Sequence, residues 1–93
     1  MRLYGVFRTA AGSGQIQLDV PSQKPTVRSI IEHLVAQADC YELKPLLIDS
    51  GTMDPRPNAL IMVSGREIST LNGLDTILAE GDELSLLPVA HGG

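Results

Sequence analysis

The sequence predicts an α+β domain in which one long amphipathic helix covers one face of a mixed four- or five-stranded sheet. Three observations carry that expectation. Residues 15–20 alternate strictly between polar and apolar, residues 27–38 place apolar side chains at helical spacing, and residues 59–63 and 83–87 are short strand-like runs bounded by turn residues. A single helix of this length suffices to bury one face of so small a sheet.

In the first run, residues 2–8, Leu3, Gly5 and Phe7 fall on one face and Arg2, Tyr4, Val6 and Arg8 on the other, which reads as a first strand. Ile16, Leu18 and Val20 would point inward from a second strand. Between them, Gly12-Ser13-Gly14 supplies residues that tolerate positive φ, so the two strands are expected to form a hairpin. The same glycines do not read as a phosphate loop, because they precede a strand, whereas phosphate loops open a helix whose N-terminus faces the anion.

After Pro21 and Pro25 the period changes. Val27, Ile30, Ile31, Leu34, Val35 and Ala38 follow the i, i+3, i+4, i+7, i+8, i+11 spacing of one helix face, and Thr26 stands where an N-cap belongs. Between Cys40 and Asn58 the pattern weakens to a small cluster of Leu43, Leu46, Leu47 and Ile48, followed by loop signals at Ser50-Gly51, Pro55 and Pro57.

Residues 59–63 are apolar on both faces, as in an interior strand, and Ser64-Gly65 is a turn dipeptide leading into Glu67 and Ile68. Residues 71–78 read as a compact irregular connection. Gly81-Asp82 then turns into a last strand over residues 83–87, which Pro88 ends. Residues 1–88 are expected to form the domain and residues 89–93 a flexible tail.

Ninety-three residues allow one core, and a composition 43% hydrophobic and 19% charged is that of a soluble globular domain. The apolar run at residues 59–63 is far too short to span a membrane, and the N-terminus lacks the apolar stretch of a secretory signal, so the expected location is the cytoplasm. Cys40 alone cannot make an internal disulfide or a multi-cysteine metal site and reads as packing. A net charge of −4 with seven scattered Lys and Arg residues argues against a nucleic-acid binder. His33 lies off the apolar stripe, and no metal constellation is visible.

The most informative feature is the tail Val89-Ala90-His91-Gly92-Gly93, which follows a strand-ending proline and finishes on two glycines. Without Cβ atoms such a segment can thread a narrow enzyme channel, and a terminal glycine carboxylate is sterically open to attack on ATP. His91 reads as a tunnel contact, because a mobile tail cannot hold an imidazole within the roughly 2.6–3.2 Å that proton transfer needs.

Taken together, residues 3–12, Ser64-Gly65-Arg66-Glu67-Ile68, Leu74-Asp75-Thr76, Gly81-Asp82-Glu83-Leu84 and Leu86-Leu87-Pro88 before Gly92-Gly93 resemble the MoaD/ThiS sulfur-carrier family. The resemblance spans almost the whole chain and is strongest to the MoaD branch and the small archaeal modifier proteins. Ser64 departs from the Asn often found there, and Val89-Ala90-His91 from a commoner second proline with small residues.

That resemblance implies a β-grasp, ubiquitin-like fold and a carrier with no catalytic machinery or bound cofactor of its own. Gly93 would be adenylated by an ATP-using enzyme of the MoeB or ubiquitin-activating type and converted to a thiocarboxylate. A MoaE-like large subunit of molybdopterin synthase would then receive the sulfur for dithiolene formation. Gly92, His91, Ala90, Val89, Pro88 and Leu87 would contact partners, with Tyr4 and Leu87 as exposed apolar groups near the tail. Met62 would complete that patch, although a run apolar on both faces leaves its orientation open.

The acidic neighbourhood of Asp75, Glu80, Asp82 and Glu83 reads either as a field steering a basic partner or as a solvated turn. The same activation chemistry also permits two other roles: isopeptide modification of substrate lysines through Gly93, or sulfur delivery for tRNA thiolation. A third possibility is a non-reactive binding module in which the apolar patch alone carries function.

Overall fold

The computed structural model describes residues 1–18 and 23–89. The chain runs β1 (Arg2–Leu3), α1 (Gly5–Ala11), α2 (Val27–Val35), α3 (Lys44–Leu47), β2 (Ala59–Val63), β3 (Arg66–Glu67) and β4 (Leu84–Pro88), with 3-10 turns at Ala38–Cys40, Ile68–Thr70 and Gly73–Asp75. Among the described residues the strands make one four-stranded sheet in the order β1-β4-β2-β3. β1 is parallel to β4, and β2 is antiparallel to both β4 and β3. This is the mixed sheet with one main helix that the sequence predicts.

The opening of the chain differs from the expected hairpin. β1 stops at Leu3, and residues 5–11 coil into α1 instead of extending the strand. Phe7, Ala10 and Ala11 stand at i, i+3 and i+4, so a helix buries Phe7 and lays both alanines against the core, which a strand could not do. Gly5 enters α1 at φ 56°, and Gly12 closes it at φ 78°, its N–H donating to the carbonyls of Arg8 and Thr9. The 12–14 segment is thus a helix exit and not a strand-to-strand turn.

Antiparallel pairing survives there as a bridge between Arg2 and Gln15, flanked by Leu3 N–H to Gly14 O and Ile16 N–H to Met1 O, both 2.9 Å. Ile16 and Leu18 are half-buried against the core, whereas Val20 lies outside the described residues.

α2 begins at the expected cap. Thr26 Oγ1 accepts from Ser29 N–H at 3.1 Å, and Ser29 Oγ accepts from Thr26 N–H at 2.9 Å, a reciprocal capping box. Val27, Ile30, Ile31 and Leu34 are buried beneath it. The helix ends at Val35, short of the expected Ala38, because Gln37 is extended and its side-chain amide donates to the His33 carbonyl. The chain then drops through the 3-10 turn and α3, burying Cys40, Leu43, Leu47 and Ile48 while Leu46 stays exposed.

Ser64 and Gly65 form the two-residue turn between β2 and β3 with φ of 48° and 84°, the paired positive values of a type I′ hairpin. Ser64 is not the residue such a turn prefers. Its hydroxyl compensates by donating to Asp82 at 3.0 Å and accepting from Glu83 N–H at 3.1 Å, which ties this hairpin to the turn before β4. The core is one cluster, with Leu3, Ile61, Val63, Leu84 and Leu86 of the sheet meeting α2 and Phe7.

Candidate functional site

Alternation along β2 and β4 sorts their residues onto two faces. Ala59, Ile61 and Val63 of β2 and Leu84 and Leu86 of β4 are buried toward α2. Leu60, Met62, Ser85 and Leu87 point the other way, away from the helix. The register sets Leu60 directly opposite Leu87 and Met62 opposite Ser85, so the outer face carries a contiguous apolar strip. Leu60 is 39% exposed, and Met62 and Leu87 are half-buried. The orientation of Met62, open in the sequence, is therefore outward with Leu87.

Tyr4 extends β1 by one residue before the chain turns into α1. Its backbone is extended, at φ −126° and ψ 159°, and its N–H donates to Leu86 O at 3.2 Å. It is 41% exposed. Arg2, two residues earlier, donates through Nε to Glu83 Oε1 at 2.9 Å. The neighbouring Tyr4 hydroxyl and then Glu83 raise the Arg2 guanidinium above its ordinary pKa.

The strip leads to the end of β4. Pro88 pairs with Ala59 at the end of β4, and Val89 N–H donates to Asn58 O at 3.1 Å. Asn58 in turn donates through Nδ2 to Leu47 O at 3.2 Å, tying the end of α3 to the same point. On the other side the Pro88 ring sits against Gly5, so closely that no side chain would fit there. Val89 is exposed. Ala90, His91, Gly92 and Gly93 lie outside the described residues.

The structure thus brings Tyr4, Met62, Leu87, Pro88 and Val89 together. Leu60 belongs with them but was not among the expected residues. Its shared parity with Met62 was the available signal. Arg2 was also missed, and nothing in the sequence pairs it with Glu83 eighty-one positions away.

Two of the four acidic side chains around the last turn are paired with arginines. Asp82 accepts from Ser64 and from Ala79 N–H at 2.7 Å, Glu83 pairs with Arg2, and Asp75 pairs with Arg28 at 3.3 Å. Of the four, only Glu80 has no such partner among the described residues, so two of the charges are offset locally. Cys40 is buried, and burial, with a contribution from Asp39, pushes its thiol pKa up, which leaves it a packed thiol rather than a nucleophile. Among the described residues no group of three or more His, Cys, Asp or Glu side chains is placed to hold a metal, and no helix is long and apolar enough to cross a membrane.

A mixed sheet on one main helix, with β1 parallel to the last strand and an apolar strip running to the point where the chain leaves that strand, defines a ubiquitin-like β-grasp domain. Residues 1–93 match the ThiS family along their whole length, and the chain belongs to that family. It is 32% identical over 93 residues to small archaeal modifier protein 3 of Haloferax volcanii, covering 100% of this chain and 96% of that one. It is also 33% identical over 86 residues to a candidate sulfur carrier protein of Archaeoglobus fulgidus, covering 92% and 94% respectively. In fold it is similar to the crystal structure of small archaeal modifier protein 1 of Haloferax volcanii, with a TM-score of 0.81 at 24% identity over 99% of this chain and 94% of that one. The protein is accordingly one of the ubiquitin-like sulfur carriers and modifiers.

Proposed function

We propose that this protein is a sulfur carrier whose reacting group is the carboxylate of Gly93. The observation that carries the reading is the outer strip of Leu60, Met62 and Leu87, which ends at Pro88 and Val89 where the chain leaves the sheet. A partner seated on that strip would have residues 90–93 leading directly into its own site, with Tyr4 at the border as an aromatic anchor.

The chemistry needs nothing from this chain but reach. Attack of the Gly93 carboxylate on ATP, in an activating enzyme of the MoeB or ubiquitin-activating type, releases pyrophosphate and forms an acyl adenylate. A sulfur nucleophile then displaces AMP, the better leaving group. The acceptor in this reading is the molybdopterin precursor held by a MoaE-like large subunit, in the cytoplasm.

A second reading has the same first step. The relative named a modifier protein favours interception of activated Gly93 by a substrate lysine, giving an isopeptide bond.

Incubation with ATP, the organism's activating enzyme and a sulfur donor separates the outcomes by intact mass. Exchange of one oxygen for sulfur adds about 16 Da to the free protein. Conjugation instead gives higher-mass species that immunoblots resolve from free carrier. An unchanged mass, with no conjugates and an enzyme shown to be competent, overturns both. So does unaltered molybdenum cofactor, thiolated product and conjugate level in cells whose carrier lacks Gly92 and Gly93.

A further inference from the structure

A second apolar surface lies away from the sheet strip, where α1 faces the 40–46 segment. Val6 and Ala10 from α1, Tyr41, and Pro45 and Leu46 from α3 line an open groove of about 560 Å³. Val6 is 53% exposed, Tyr41 71% and Leu46 44%. Three large side chains thus stand exposed along one groove, the kind of surface that marks a binding site.

The one charged residue lining the groove is acidic. Glu42 lines the groove and accepts only from the Tyr41 hydroxyl, and neighbouring Asp39 is exposed. Neither is in an ion pair among the described residues. The nearest cations in sequence are turned elsewhere: Arg8 lies against Gly14, and Lys44 lines a separate groove with Glu32, Val35 and Ile48.

Both walls are tied to the tail base. Gly5, at the start of α1, packs on Pro88, and Leu47, at the end of α3, is joined through Asn58 to Val89. A protein that grips the chain beyond Val89 therefore finds this groove beside the exit as well as the sheet strip.

The geometry points to the α1–α3 groove as a second docking site for the activating enzyme, taking an aliphatic or aromatic side chain flanked by Lys or Arg. The apolar walls receive the side chain, and Glu42 receives the cation. This rests on the carrier reading above, and the test keeps the two apart.

The experiment measures ATP–pyrophosphate exchange by the organism's purified adenylating enzyme as a function of carrier concentration, for wild type, Leu46→Asp, Leu46→Ala and Glu42→Lys. All three changes fall on exposed positions, and thermal unfolding by circular dichroism confirms folding. Leu46→Asp should raise KM for the carrier about tenfold with kcat preserved, and Leu46→Ala about threefold. Glu42→Lys should raise KM severalfold and flatten its dependence on salt.

Wild-type KM in all three variants overturns the groove while leaving the carrier reading intact. No activation of wild type overturns both. Sedimentation showing a wild-type dimer that Leu46→Asp dissociates would assign the groove to a second copy of this chain and overturn the proposal.

Discussion

The Cβ that Gly5 lacks would lie 2.7 Å from Cγ of Pro88, the last residue of β4, while Gly5 itself sits at φ 56°. Two constraints meet at one residue: the backbone must turn left-handed to start α1, and the space above it belongs to the proline that ends β4. Neither atom of that contact can move cheaply, because the Cβ is bonded directly to the backbone and the Cγ belongs to the ring of a residue whose backbone is held against Ala59.

Gly5→Ala should therefore destabilise the fold by about 2–3 kcal/mol, adding a close contact to the strain of a left-handed non-glycine residue. Gly12→Ala provides the contrast. It shares a positive φ of 78° but has no atom within 4 Å of the new Cβ, so it should cost only about 1 kcal/mol. Urea unfolding of the two variants measures the difference. Equal losses would show that Pro88 is not an obstacle.

Leu60→Asp and Ile61→Ala separate docking from folding, since adjacent residues of β2 face opposite ways. Leu60 is exposed, so its replacement should leave the unfolding midpoint nearly unchanged while reducing activation by the adenylating enzyme at least tenfold. Ile61 is 1% exposed, and truncation should cost about 2–4 kcal/mol. The check is pyrophosphate exchange alongside thermal unfolding. A Leu60→Asp protein that is activated normally would remove the sheet strip from the docking surface.

Thr26→Ala breaks the capping box of α2, because the Ser29 N–H loses the Thr26 Oγ1 acceptor. The expected loss is about 1 kcal/mol, read as a lower urea midpoint with an unchanged m-value. Ser29→Ala should cost a comparable amount, and the double variant less than the sum, because the two side chains act on one motif.

Acid stability should depend on Asp54. The Arg56 side chain hydrogen-bonds its carboxylate, and the Arg56 backbone N–H does so at 2.8 Å, holding the Asp54 pKa below the usual carboxylate value. A pKa lower in the folded state means stabilisation fully present above the unfolded value of about 3.9 and lost as pH falls through the folded one. Unfolding midpoints from pH 6 downward should thus fall less steeply in Asp54→Asn than in wild type below about pH 4. Parallel curves would show that the pair contributes nothing.

Much of the architecture was legible in the sequence because it rests on local sterics and periodicity. The 3.6-residue spacing from Val27, with Thr26 ahead of it, specifies a capped helix wherever the chain is placed, and Ser64-Gly65 between two strand-like runs specifies a tight turn. The run at residues 2–8 shows the limit of such reasoning. Leu3 and Phe7 are four apart, which suits a strand face and a helix face equally, and the choice falls to α1 because Phe7, Ala10 and Ala11 must reach a core built by distant segments.

The site divides in the same way. The Gly92-Gly93 pair and the residues after Pro88 stand in the amino-acid order itself, as does the match to the ThiS family. The outward turn of Met62, the recruitment of Leu60 opposite Leu87 and the pairing of Arg2 with Glu83 follow from the register of β2 and β1 against β4. Register is a contact between segments far apart in the chain, and a slip of one residue would exchange the two faces of a strand, so no local pattern in an all-apolar run could have settled it.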